Sequence, residues 1–247
     1  MSFDYHSVAG DYQYRALNSG HAMQRFWHRG KLTMIDLLIS PHLIEGSRLL
    51  EIGCGAGNLL LQASVPGSYP VALDLSMQAL TFVRSRLEGA LSGAEAPAGY
   101  ACAQAVGESL PFISGSFDCV LMSEVLEHLA APEIPVCEAL RVLRPGGRLL
   151  ITTPNYRSFW PVMEWLVDRL NMAPKMAGEQ HISRFHPSSL EQLLVESGLR
   201  LEYSGSIYQL SPFLSMFSSK QAERQLIREL KRRSSWGMIL VAVAIKN

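Results

Sequence analysis

The residues best placed for chemistry sit in one short stretch, LLEIGCGAGN, where an apolar run ends in Glu51 and is followed by Gly53, Gly55 and Gly57. Glycines at alternate positions let the backbone take left-handed conformations and let a ligand lie directly against it. An ordinary tight strand-to-helix turn uses the same residue types, and a dinucleotide site is a rival. The spacing here is GxGxG, which differs from the GxGxxG of the dinucleotide fingerprint. A second apolar run ends at Asp74 in VALDLS. A carboxylate at the tip of a strand can accept hydrogen bonds from both hydroxyls of a ribose. Glu51, the glycine loop and Asp74 together therefore suit a nucleoside ligand.

Such residues work only if the elements behind them bring their tips to one edge. The runs RLLEI, YPVALDL, YACAQAV, FDCVLM and RLLITT alternate with segments of helical length, which predicts parallel βαβ units with helices on both faces. Residues 22–39 carry apolar side chains at helical spacing and should form an N-terminal helix ending near Ser40-Pro41. Residues 89–99, rich in Ala, Gly and Ser, read as a loop. After the fifth strand come an aromatic, amphipathic insertion over 156–176, a capped helix over 187–197 with Gly198 at its end, and two strands near 199–208 and 236–245 around another helix. The expected whole is a single α/β domain. It has a doubly wound, mostly parallel seven-stranded sheet, an N-terminal cap over about 1–45, a ligand-binding core over about 46–155, and an insertion with a C-terminal substrate part over about 156–247.

Four motifs in register, LLEIGCGAG, VALDLS, GESLPFISGSFDCVLMSEVLEHL and LRPGGRLLITTPN, resemble the class I S-adenosylmethionine (SAM)-dependent methyltransferases, in the manner of the small-molecule and quinone-type branch. The resemblance runs over 48–155, with a weaker echo to Gly198. It implies the Rossmann-like methyltransferase fold, SAM as cofactor and S-adenosylhomocysteine as product. It implies that the loop Gly53, Cys54, Gly55 and Gly57 passes under the methionine moiety, that Glu51 holds its amino group, and that Asp74 holds the ribose. Leu75 would pack on adenine, and Ser123 and Glu124 would line the methionine side. Arg29 resembles a basic residue that some relatives aim at the cofactor carboxylate. Where relatives often place an aspartate on the adenine amine, this chain has Val106, followed by Gly107 and Glu108. Val106 cannot accept that hydrogen bond, so adenine recognition would fall to groups around Gly107 and Glu108.

Methyl transfer from a sulfonium is a direct displacement, so positioning and exclusion of water are the main demands, and a general base helps only for acceptors such as a hydroxyl. His181 and His186 in EQHISRFHPSSL are the candidates, His181 first; His128 within VLEHL reads as structural. Phe159, Trp160, Met163 and Trp165 suit an apolar lid over an aromatic or lipid-like acceptor. That stretch also carries Glu164, Asp168 and Arg169 instead of a basic face, which gives little support to contact with an anionic membrane. Lys plus Arg, 22, equals Asp plus Glu, 22, which argues against a nucleic-acid partner. The four cysteines lack metal-ligand spacing, so neither a metal site nor a disulfide framework is expected, and a reducing cytoplasm fits. No secretory or membrane-spanning segment is expected. A small-molecule methyltransferase is the leading reading. A protein or RNA methyltransferase, a non-catalytic SAM-binding domain and a NAD-dependent dehydrogenase stand as alternatives, with acceptor, methylated atom and oligomeric state left open.

Overall fold

The runs RLLEI, YPVALDL, FDCVLM and RLLITT become strands buried on both faces, which only a central sheet under two helical layers allows, while YACAQAV forms a part-buried edge strand. In the computed structural model, which describes residues 9–91, 96–169 and 181–247, Arg48–Ile52 (β1), Tyr69–Asp74 (β2), Ala101–Gln104 (β3), Phe117–Ser123 (β4) and Leu143–Pro154 (β5) pair in parallel. Leu199–Ile207 (β6) and Ile239–Lys246 (β7) complete a seven-stranded sheet in the order β3-β2-β1-β4-β5-β7-β6. β7 runs antiparallel to both of its neighbours. The order reverses between β1 and β4, as a doubly wound sheet requires, and the expected fold class is the one observed.

Helices flank the sheet: Tyr12–Ser19 (α1), Ala22–Leu38 (α2), Asn58–Ala63 (α3), Met77–Ala90 (α4), Glu133–Val142 (α5), Trp160–Arg169 (α6), Pro187–Glu196 (α7), Ser211–Leu214 (α8) and Ser219–Arg232 (α9). Side-chain alternation assigns the faces. Leu49, Cys119, Leu121, Leu150 and Val243 meet Met34 and Ile35 of α2, Leu60 of α3, Val83 and Leu87 of α4 and Leu226 of α9 in one core. Leu50, Ile52, Val120, Met122 and Leu149 meet Val136 and Ala139 of α5 and Leu190 and Leu194 of α7 in the other. Each such Leu, Ile, Val or Met side chain contributes about 1.5–3 kcal/mol by leaving water.

Two local readings change. Helix α4 runs through Gly89 to Ala90, where a loop was expected, because Val83 and Leu87 one turn apart bury its inner face and outweigh one glycine near its end. Helix α1 was not foreseen: in YQYRALNS only Ala16 is buried, so no apolar stripe announces it. The insertion turns through 156–159 and is helical over α6; residues 170–176 lie outside the described residues. His186 caps α7, its ring accepting from Ser189 N at 3.2 Å while Ser189 Oγ accepts from His186 N at 3.0 Å, with Pro187 at the first turn. That ring is committed to structure.

Candidate active site

A cavity of about 750 Å³ opens at the carboxyl ends of β1, β2 and β4, the crevice where open α/β sheets bind ligands. The loop after β1 holds Gly53, Gly55 and Gly57 at φ of +68°, +48° and +69°. A Cβ on Gly57 would stand 2.2 Å from Val83 Cγ2, and one on Gly53 would stand 2.7 Å from Val125 Cγ2. Conformation and close approach together demand glycine at both. Gly55 N donates to Asp74 Oδ2 and Ser76 N donates to Asp74 Oδ1, each at 2.8 Å. The carboxylate plane is thereby fixed, and each oxygen keeps a lone pair for a ligand hydroxyl. Glu51 accepts from Leu60 N at 3.0 Å at the start of α3. Burial pushes its carboxyl up to about 8, against the pull of that backbone donor.

Glu51, Gly53, Gly55, Asp74, Leu75, Gly107, Glu108, Ser123, Glu124 and His181 all line this one cavity. Leu75 is 44% exposed, an apolar side chain open to a flat ligand at the tip of β2. Arg29, Cys54 and Gly57 stand outside the lining. Cys54 turns into the core, where burial raises its thiol far above the usual range, and Gly57 is turned against Val83. Arg29 is exposed because successive helical residues are about 100° apart; on α2 it is His28 and Lys31 that face the cavity. Val106 is also exposed and outside the lining, between Ala105 and Gly107, which are within it.

Lys31, buried within α2, places Nζ 2.5 Å from Glu124 Oε1. Glu124 follows β4 at φ +56° and donates its N–H to Thr152 O at 2.8 Å. Burial raises the Glu124 carboxyl, but Lys31, helped by His28 and His181, holds it below the usual range. His28 falls to about 4 through burial and then Lys31, so it is neutral at pH 7. At the far end, His181 is 8% exposed; its Nδ1 lies 2.8 Å from Glu164 Oε1 and 2.7 Å from the Tyr156 hydroxyl. Glu127, 1% exposed, accepts from Thr153 Oγ1 at 3.1 Å, and burial followed by the neighbouring Glu124 pushes it up to about 8. His128 packs its ring 5.1 Å from that of His181. Trp27 and Trp160 line the cavity with ring centres 5.7 Å apart, and Trp27 stacks at 4.2 Å on the core residue Tyr208. Met163, Phe213 and Met216 extend this apolar wall, whereas Phe159 and Trp165 stay exposed and outside it.

Sequence reasoning did not single out Lys31, His28, Glu127 or Glu164 as site residues, and it read His128 as structural. The adjacent pair Glu127-His128, just past the tip of the fourth strand, was the available signal, since strand tips in this architecture face the ligand. Lys31 required the rotational phase of α2.

The arrangement can hold a nucleoside by its ribose and present an amino acid-like tail to buried carboxylates, with a second, apolar compartment beside it. A family model described as a methyltransferase domain matches residues 50–151. Ubiquinone biosynthesis O-methyltransferases from Xylella fastidiosa are similar to this chain: one (strain 9a5c) at 29% identity over 85% of this chain and 88% of its own, another (strain M23) at 30% identity over 76% of each. Among solved structures, a SAM-dependent methyltransferase from Thermotoga maritima, titled a possible histamine N-methyltransferase, aligns with a TM-score of 0.64 at 18% identity, covering 96% of this chain and 95% of its own. The chain belongs to the class I SAM-dependent methyltransferases. It is an enzyme that transfers methyl groups, and its cofactor is SAM. No helix among the described residues is long and apolar enough to cross a membrane.

Proposed function

We propose that the chain methylates a hydroxyl of an apolar, ring-bearing or lipid-like small molecule, and that the residues lining the cavity divide into a cofactor half and an acceptor half. In the cofactor half, Asp74 accepts from the ribose hydroxyls, Leu75 and the Gly107 backbone meet adenine, and Glu51 receives the amino group of the methionine tail. Lys31, held by Glu124, takes the part the sequence reading gave to Arg29: it brings a cation toward the cofactor carboxylate. The observation that carries the acceptor assignment is the His181 imidazole, buried in the same cavity and oriented by Glu164 and Tyr156. A carboxylate on Nδ1 fixes the tautomer and keeps a lone pair on Nε2 for chemistry at an acceptor oxygen. Transfer then proceeds in line: the acceptor hydroxyl gives up its proton on the His181 side, its oxygen lone pair forms the bond to the methyl carbon, and the carbon–sulfur pair stays on sulfur. The names of the Xylella relatives, which are O-methyltransferases of ubiquinone biosynthesis, agree with an oxygen acceptor. The apolar wall of Trp160, Met163, Phe213 and Met216 supports the acceptor class.

Labelled methyl transfer from SAM in a cell extract, separated into small-molecule, lipid, protein and RNA fractions, tests the reading. Label in the first two supports it, and label confined to protein or RNA overturns it. With an accepted substrate, His181→Ala is expected to lower kcat by about 10²–10⁴-fold while leaving S-adenosylhomocysteine affinity unchanged. An unaltered kcat removes His181 from the chemistry.

A further inference from the structure

Glu127, His128 and His181 each offer one ligand atom, and the three atoms lie within 4.8 Å of one another in the wall of the cavity. The sequence separates His181 from the other two by the whole of α5, β5 and α6, so only the fold assembles them. Three further observations bear on this cluster. First, His181 Nδ1 is engaged by Glu164 and Tyr156 at 2.8 and 2.7 Å. A carboxylate behind an imidazole is the usual support of a metal-bound histidine, because it leaves Nε2 unprotonated and basic. Second, Glu127 is held from behind by the Thr153 hydroxyl at 3.1 Å, a supported carboxylate 1% exposed. Third, the cavity is short of positive charge. Among the described residues, Asp74, Glu108, Glu124 and Glu164 line it against one amine, Lys31, and that amine is bound to Glu124.

We infer that Glu127, His128 and His181 hold a divalent first-row cation such as Mn²⁺ or Zn²⁺ at the acceptor end of the cavity, where it binds the acceptor's hydroxyl oxygen. Two imidazoles and one carboxylate suit these ions better than Mg²⁺ or Ca²⁺, which prefer oxygen alone. Ligand atoms about 2.1 Å from a tetrahedral ion stand about 3.4 Å apart, so binding draws the three atoms, which lie within 4.8 Å of one another, closer together. Three protein ligands leave coordination positions open for the acceptor. A hydroxyl bound there releases its proton to water at lower pH. The resulting oxyanion forms the oxygen–methyl bond as the carbon–sulfur bond breaks, its electron pair remaining on sulfur. This rests on the proposed O-methylation and specifies how His181 serves it, as a ligand of the ion that activates the oxygen.

The test uses the full chain stripped with EDTA and dialysed, titrated with Mn²⁺ by calorimetry and by loss of the free-ion electron paramagnetic resonance signal. Titration with S-adenosylhomocysteine runs in parallel. One Mn²⁺ per chain with a Kd in the micromolar range is expected. Affinity should fall at least about 100-fold in His128→Gln and Glu127→Gln and about 10–100-fold in Glu164→Gln, with S-adenosylhomocysteine binding retained in all three as the check on folding. Wild-type Mn²⁺ and Zn²⁺ binding no tighter than millimolar, or a His128→Gln chain that binds Mn²⁺ as the wild type does, overturns the cation site. A general base at His181 would need no His128, so the second outcome removes the ion while sparing the methyltransferase reading. Loss of S-adenosylhomocysteine binding in the wild type would strike the cofactor assignment instead.

Discussion

Asp74 and Glu51 do different work although both are carboxylates at strand tips, and their surroundings say why. Asp74 has a backbone N–H on each oxygen and sits at the cavity edge, oriented for neutral hydroxyls. Asp74→Ala is expected to weaken S-adenosylhomocysteine binding by about 1–3 kcal/mol, the cost of leaving ribose hydroxyls unpaired; unchanged calorimetric affinity would remove the ribose assignment. Glu51 is buried, and its carboxyl in the folded chain keeps its proton up to about pH 8. The unfolded chain loses that proton near the ordinary carboxylate value. Between the two the unfolded state binds fewer protons, so this group's contribution to stability is present at low pH and is lost as pH rises toward 8. Glu51→Gln carries no such penalty. Its melting temperature without cofactor should therefore gain on the wild type from about pH 5 to about pH 9, by the equivalent of about 1–3 kcal/mol. Parallel melting curves would mean that Glu51 ionises normally. The ammonium of a bound cofactor would favour the ionised form.

The elements translate glycine chemistry into cavity shape. The loop between β1 and α3 turns through three left-handed glycines so that α3 starts under Leu60 N, the donor that fixes Glu51. The same loop packs Gly57 on Val83 of α4. Gly57→Ala places a Cβ 2.2 Å from Val83 Cγ2 at φ +69°. It should cost about 2–4 kcal/mol of stability in urea unfolding and shift the loop enough to weaken cofactor binding. Gly89→Ala is the contrasting case: it lies in α4 with no heavy atom of the described residues beyond its own helix backbone and chain neighbours within 4 Å of the added Cβ, and it should stabilise by about 0.5–1 kcal/mol. Equal effects at the two glycines would contradict this account. Helix α2 shows the same dependence on element geometry: the helix itself was readable from its apolar spacing, yet which of Arg29 and Lys31 faces the ligand depended on its rotation against the sheet.

At the scale of the whole molecule the cavity joins parts distant in the chain: α1 and α2 from the N-terminal region, the tips of β1, β2 and β4, and α6 and α8 from the C-terminal half. A ligand filling it ties these parts together. S-adenosylhomocysteine at about 100 times its Kd should raise the unfolding free energy by about 2.7 kcal/mol. For a domain of this size that is a melting shift of about 5–10 °C. Hydrogen-exchange protection should appear in α1, α2 and the loops after β1 and β2, and should leave the edge strand β6 unchanged. Protection confined to the β1 loop would mean that α1 and α2 do not close on the cofactor.

The five parallel strands, the glycine loop, Asp74 and the two strands that close the sheet were legible in the residues, because buried strands need continuous apolar runs and a tight backbone approach needs glycine; the antiparallel direction of β7 was not. Short-range rules act over one element and leave their mark in one stretch of sequence. Helix α1 left no such mark, since it is held by contacts with α2 and not by an apolar stripe of its own. The division of labour between Arg29 and Lys31 and the meeting of His181 with Glu127, His128 and Glu164 were decided by tertiary structure. Each depends on the packing phase of a helix or on chain segments brought together across the sheet edge, and neither distance is written in the spacing of residues along the chain.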